Sequence, residues 1–174
     1  MKIAFTGTVS TGKTTLATEI NKKYPELQLC TNLARSYMVN YGLKLNTEST
    51  DDTQIIFNKL FENLLIIPSF VSDRSLIDSF AYHLSVYNRG GISPYVVAYQ
   101  ESIVQHYMSK YDYVFYTPVE FPLVVDGQRA SDLSYQQEID NIIKMYLKKY
   151  NVKYQIIKGS VEERLKMFED YVGI

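Results

Sequence analysis

MKIAFTGTVSTGKTTLATEI, residues 1–20, is the stretch that decides how this chain folds. Lys2 to Thr6 reads as a short buried strand, and Lys13 to Tyr24 reads as a helix with Leu16 and Ile20 on its apolar side. Between them, Gly7 to Thr14 fits G-x-x-x-x-G-K-[ST], the phosphate-binding loop. Gly7 and Gly12 permit the dihedrals that turn backbone N–H groups inward around a polyphosphate. Lys13 supplies a mobile cation to the terminal phosphates. Thr14 can place its hydroxyl on magnesium, and the helix N-terminus adds partial positive charge. Ser10, Thr11 and Thr15 complete the expected nucleotide contacts, with Thr8 as a further hydroxyl. The competing reading is a glycine-rich turn with a helix N-cap; placement after a strand and before a helix favours the phosphate loop.

Outward from that loop, strands and helices alternate. Leu27 to Cys30 is a second strand, Asn32 to Tyr41 a helix, and Leu45 to Ser49 part of a polar loop. Asp51 and Asp52 precede an amphipathic run whose apolar residues are Ile55, Ile56, Leu60, Phe61 and Leu64. Phe70 to Ser72 is a third strand leading into Asp73 and Arg74, and Leu76 to Tyr87 is helical. Asn88-Arg89-Gly90-Gly91 breaks the pattern. Ser93 and Pro94 then form an N-cap and first-turn pair opening a helix to about Lys110. Asp112 to Thr117 is strand four, Tyr135 to Tyr150 a helix, Lys153 to Lys158 strand five, and Val161 to Tyr171 the last helix. Such alternation predicts an α/β fold, a parallel sheet with helices on both faces.

The size, 174 residues, predicts one domain with a real core. With 18 Lys+Arg against 19 Asp+Glu, no broad electrostatic attraction to nucleic acid or anionic membrane is indicated, although a small anion needs only a local site. Cys30 is the single cysteine, which excludes an internal disulfide or a cysteine-based metal cluster and fits a buried structural role in a reducing cytosol. The apolar run before Thr6 is too short for a signal peptide, and no stretch reaches the ~20 residues of a membrane span. A cytoplasmic location is therefore expected.

Asp73, in FVSDRSLIDSFAY from Phe70, stands where a strand ends, the position from which parallel α/β sheets present groups to a ligand. Its carboxylate can orient a magnesium shell or accept the proton of an attacking hydroxyl. Arg74 can meet phosphate or substrate. In the alternative, Asp73 caps the next helix and Arg74 pairs at the surface.

The chain resembles the NadR-like nucleoside kinases, a branch of the P-loop kinases acting on small molecules. The resemblance rests on GTVSTGKTT, TNLARSYM, SDRSLIDSFAY, YDYVFYTPVEFPLVVDGQR and KYQIIKGSVEERL, and spans nearly the whole chain. It implies a three-layer P-loop kinase fold with a five-stranded parallel sheet and a lid. It also implies ATP with magnesium as donor and a small nucleoside-like molecule bearing a hydroxyl as acceptor, such as nicotinamide riboside or a (deoxy)nucleoside or nucleotide. By matching position, Asp73 becomes the base or magnesium organiser and Arg74 a phosphate or substrate contact. Asp78, a substrate contact, and Tyr82 fall on the following helix and face the same cleft only if that helix begins near Ser75, with core packing the alternative for Tyr82. Arg35 matches the acceptor-pocket arginine of TNLARSYM; Asn32 stands where the group has an acid, a neutral amide in place of a carboxylate for ribose hydroxyls. Gly159, in Lys158-Gly159-Ser160, occupies the loop that borders adenine in such kinases, with a simple turn as the alternative.

About seventeen residues, PVEFPLVVDGQRASDLS, join strand four to the next helix, and loops that long are commonly functional. A lid over about 118–134 would bring Arg129 onto the transferring phosphate, with Gly127 as hinge and Asp126 holding the arginine. Ala130 to Glu138 lacks the second lid arginine that the group often has. An exposed turn is the alternative. Lys13, Asp73 and Arg129 thus form the expected catalytic set.

Two other functions compete with phosphoryl transfer. A guanine-specific switch would carry N-K-x-D, which neither Asn21-Lys22 nor Asn58-Lys59 continues, and the sole D-x-x-G ends at Gly173. A kinase acting on a modified base in DNA would use the strip Lys144, Lys148, Lys149 and Lys153, which a solvated helix face also explains.

Overall fold

The computed structural model describes residues 1–40, 50–121 and 133–174. Its elements run β1 (Lys2–Thr6), α1 (Lys13–Lys23), β2 (Gln28–Cys30), α2 (Leu33–Asn40), α3 (Asp51–Leu64) and β3 (Phe70–Ser72). There follow α4 (Leu76–Asn88), α5 (Pro94–Tyr107), a 3-10 turn (Met108–Lys110), β4 (Tyr113–Tyr116), α6 (Leu133–Lys149), β5 (Gln155–Ile156) and α7 (Val161–Val172). The strands form one parallel five-stranded sheet in the order β2-β3-β1-β4-β5.

β1 lies at the centre, Ala4 level with Ser72 of β3 on one side and with Val114 of β4 on the other. The phosphate loop and Asp73 therefore leave neighbouring strands at the same carboxyl edge of the sheet. Alternation along β1 divides the core. Ile3 and Phe5 pack with Leu16, Ile20, Phe115 and Phe168 under α1 and α7, whereas Ala4 joins Phe70, Phe80, Val114 and Ile143 under α4 and α6. Phe115 sits 5.5 Å, centroid to centroid, from both Phe5 and Phe168, each ring contributing about 1.5–3 kcal/mol by burial.

The expected three-layer arrangement is present, with two local corrections. β5 shrinks to Gln155–Ile156, because as an edge strand it pairs only with β4. On α3 the buried face is Thr53, Gln54, Phe57, Asn58, Phe61 and Leu64, so Ile55 and Ile56, expected inside, are exposed. Phe57, Phe61 and Leu64 suffice as the apolar anchors, and two amides travel inward with them. The helix expected to reach Tyr41 is described to Asn40; Tyr41 and the polar loop after it lie outside the described residues. Cys30 is buried, and burial followed by the nearby charge of Asp73 pushes its thiol pKa up. Among the described residues no helix is long and apolar enough to cross a membrane.

Candidate nucleotide and acceptor site

The phosphate loop is closed by contacts that the glycines make possible. Gly7 has φ +148, and a Cβ there would lie 2.5 Å from the Thr117 carbonyl oxygen. Only glycine lets the strand end pass that close to β4. Gly12, at φ +81, turns the chain into α1. Ser10 is also left-handed, at φ 59. Lys13 is buried, its ammonium donating to the Thr8 carbonyl and, at 2.9 Å, to the Thr11 hydroxyl. Thr11 is in turn 2.9 Å from the Thr117 hydroxyl. Thr15 is exposed on α1.

Asp73 and Thr14 meet: the threonine hydroxyl donates to Asp73 Oδ2 at 2.6 Å. A hydroxyl and a carboxylate side by side at a helix N-terminus are hard oxygen donors of the kind magnesium takes. Among the described residues no group of three or more His, Cys, Asp and Glu side chains is placed to hold a metal ion.

Arg74 and Asp78 hold the loop from below. Arg74 Nη1 donates to the Gly7 carbonyl at 3.0 Å and to the Tyr82 hydroxyl at 3.3 Å, and forms an ion pair of 3.3 Å with Asp78. Burial opposes the charge on Arg74, but the Tyr82 oxygen with the Asp78 and Asp73 carboxylates outweighs it and raises the pKa. Asp78 also accepts from the Gly7 N–H at 3.0 Å and from the backbone and side chain of Ser75, whose hydroxyl caps α4. Arg74 and Asp78 are therefore both fastened to the phosphate loop, with Tyr82 stacked against the guanidinium 5.1 Å from its ring centre.

A cavity opens on the other side of Asp73, between α2, α3 and α4. Thr14, Asn32, Arg35, Asp73, Arg74 and Asp78 all line it, which brings the expected acceptor residues together with the Thr14–Asp73 contact. Asn32 takes φ 55 just before α2, and its carbonyl receives the Ser36 N–H at 2.8 Å. Asparagine is among the few residues that adopt that left-handed conformation readily. Gln54, Phe57, Ser79 and His83 form further wall. His83 is buried and Phe57 stacks on it at 6.1 Å with 7° between the planes. Burial lowers the pKa of His83 to about 3, so the ring is neutral.

Sequence reasoning missed Arg164. It is 2% exposed and donates to the Thr11 carbonyl (2.6 Å), the Gly159 carbonyl (2.9 Å) and Glu120 (2.8 Å), while Phe121 covers its face at 5.0 Å. Gly159, at φ +93, gives its N–H to Glu120 as well. One guanidinium thus joins the phosphate loop, the loop before α7 and the start of the β4–α6 connection. The only signal in the sequence was an arginine on the inner side of an amphipathic helix. Gln136 of α6 was also missed; it donates to the Val9 carbonyl at 2.9 Å. Asp126, Gly127 and Arg129 lie outside the described residues. In the lysine strip, Lys144 pairs with Asp140 at 2.6 Å and Lys149 pairs with Glu101.

Residues 2–164 match the family described as AAA domain. Among curated proteins none matches the sequence. Solved structures share the fold. A NadR protein in complex with NR gives a TM-score of 0.78 at 15% identity, covering 99% of this chain and 51% of that one. A deoxyadenosine kinase from M. mycoides with products dCMP and a flexible dCDP bound gives 0.71 at 17% identity over 99% and 98%. Thymidylate kinase from Candida albicans gives 0.67 at 14% identity over 98% and 90%.

Proposed function

This chain belongs to the AAA domain family, and we propose that it is an ATP-dependent phosphotransferase moving the γ-phosphate to a hydroxyl of a nucleoside-like small molecule. The observation that carries this reading is the 2.6 Å contact between Thr14 and Asp73 at the junction of phosphate loop and cavity. A switch needs a nucleotide site alone; a kinase needs that site to share a wall with a second cavity. The kinases of similar fold named above support the same reading.

Residues 1–174 act as one kinase-like domain with a lid over about 118–134. Gly7 to Thr14 bind the donor phosphates through backbone N–H groups and Lys13. Thr14 and Asp73 would hold magnesium, whose chemistry there would be to offset the charge of the donor phosphates. Asp73, lining the cavity, is within the same wall as Arg35 and Asn32, which orient the acceptor, and it accepts the proton of the acceptor hydroxyl or fixes the metal shell. Arg129 closes over the transferring phosphate from the lid.

Incubation with ATP and magnesium and a panel of nucleosides, deoxynucleosides, nicotinamide riboside and nucleoside monophosphates, read by mass spectrometry, tests the proposal. At least one phosphorylated product is expected. Tight ATP binding with no product from any acceptor would favour a switch or a polymer substrate instead.

A further inference from the structure

Behind Lys13 runs a row of threonine hydroxyls that leaves the phosphate loop and ends on β1. The Lys13 ammonium donates to the Thr11 hydroxyl at 2.9 Å, and that hydroxyl lies 2.9 Å from the hydroxyl of Thr117. Thr117 follows directly on β4 and is buried, as are Thr6 and Thr11. Its backbone N–H and its hydroxyl both donate to the Thr6 carbonyl, at 2.9 and 3.2 Å. Two bonds to one carbonyl fix Thr117 against the end of β1.

Proton counting gives the row a direction. Lysine only donates, so it takes a lone pair of the Thr11 oxygen, and the Thr117 hydrogen lies on Thr6. Of the two contacts open to the Thr11 hydrogen, Thr117 at 2.9 Å is shorter than the Thr8 carbonyl at 3.2 Å. Donation then passes from Lys13 to Thr11 to Thr117 to the Thr6 carbonyl, and bonds aligned in this way strengthen one another.

Thr11 needs such support. It stands between Ser10 at φ 59 and Gly12 at φ 81, both left-handed, and is held from outside the loop at its carbonyl by Arg164 and at its hydroxyl by Thr117. Gly7 belongs to the same arrangement, since a Cβ there would lie 2.6 Å from the Thr117 hydroxyl. Packing alone would be met by valine, which has the same shape and no hydroxyl to desolvate. A lysine side chain is a flexible four-carbon stem, so a cation that must meet developing charge gains from being held beforehand.

We propose that Thr117 is a positioning residue of the transfer reaction: from the end of β4 it orients the Thr11 hydroxyl, which sets the Lys13 ammonium for the terminal phosphates of the donor. This deepens the proposed kinase function, resting on the phosphate loop being its donor site. Thr117 acts through Thr11 and touches neither donor nor acceptor.

Two measurements test the assignment, the first independent of nucleotide and of turnover: acetylation of Lys13 by an N-hydroxysuccinimide ester, read at that residue by mass spectrometry, and calorimetric titration with ATP and magnesium. Thr117→Val removes the hydroxyl but leaves the Thr8 carbonyl for Thr11 and the backbone N–H for Thr6. Lys13 should then be acetylated faster and ATP bound more weakly, each by about threefold to tenfold, with little change in Tm. Thr117→Ser should restore both to within about twofold of wild type, and Thr117→Ala should repeat the loss with a smaller side chain. Thr11→Ala should show the same loss, and adding Thr117→Val to it should change little, because both act through one contact. With a phosphorylated acceptor, kcat should fall in Thr117→Val while the KM for that acceptor holds.

Wild-type labelling and affinity in both Thr117→Val and Thr117→Ala, no recovery in Thr117→Ser, or full additivity with Thr11→Ala would overturn the inference; additivity would make Thr117 a packing residue only. The expected labelling pattern with no phosphorylated product from any acceptor would instead sink the kinase reading and leave the placement of Lys13 by Thr117 standing.

Discussion

The two halves of the site hold their polar groups by different means. Along the phosphate loop four carbonyl oxygens are tied to side chains, Gly7 to Arg74, Thr8 to Lys13, Val9 to Gln136 and Thr11 to Arg164, and the buried Thr8 Oγ1 has no partner among the described residues. Across Asp73, Gln54 and Ser79 of the cavity wall carry buried side-chain oxygens, Oε1 and Oγ, without a partner among the described residues. The contrast follows from what each half must recognise. A polyphosphate is bound by backbone N–H groups and a lysine, so the loop is preorganised by tying its carbonyls back to the protein. An acceptor is told from its relatives by buried groups that only the right partner satisfies.

The largest expected effect lies where the halves join. Lys13→Ala and Asp73→Asn should each lower kcat/KM for transfer on the order of 10²–10³-fold, roughly 3–4 kcal/mol of barrier. Acceptor affinity should fall more for Asp73→Asn than for Lys13→Ala, because Asp73 lines the cavity as well as touching Thr14. Rates within twofold of wild type for Lys13→Ala would show that the tied loop is not the donor site.

Arg164→Met separates the halves. It leaves the Thr11 and Gly159 carbonyls without their donor and Glu120 without its partner, and should cost about 3 kcal/mol in urea denaturation. The KM for ATP should rise while that for the acceptor changes little, since Arg164 is not part of the cavity wall. Equal rises in both would mean that the two regions are one mechanical unit, and the contrast drawn above would fail. Gly7→Ala is milder: a Cβ 2.5 Å from the Thr117 carbonyl and 2.6 Å from its hydroxyl forces the loop off β4, for about 2 kcal/mol.

The same division explains what could be read from the sequence. Gly7, Gly12, Lys13 and Thr14 form one local motif, and β1, β3 and the Ser93-Pro94 start of α5 announce themselves through short-range patterning. Asp73 was legible because a strand end in a parallel sheet is a defined place. Asp78 lines the cavity and also braces the phosphate loop through Gly7, Ser75 and Arg74, and that second role was not legible because it depends on contacts up to 71 residues away. Arg164 and Gln136 escaped for that reason too. Gln54 escaped because amphipathic reasoning puts apolar residues inside: Ile55 and Ile56 were the natural choice, and three neighbouring anchors overrode them. Patterning assigns a helix more surely than it assigns which face is buried.

His83 gives the smallest effect and tests the acceptor half alone. Its ring is buried against Phe57, beside the amide of Gln100, and burial lowers its pKa to about 3 from an ordinary 6.5. In the unfolded chain the imidazole takes up a proton below pH 6.5; in the folded protein it does not until about pH 3. Its contribution to stability is therefore complete above pH 6.5 and declines as pH falls from there toward 3, by at most about 1.4 kcal/mol per pH unit. Denaturant titrations of wild type and His83→Phe at fixed ionic strength should diverge through that window, the wild type losing stability faster because only it carries the titrating ring. Parallel curves would mean that water already reaches the ring. The slope of one histidine thus decides whether the wall that α3 and α4 form beside Asp73 is dry.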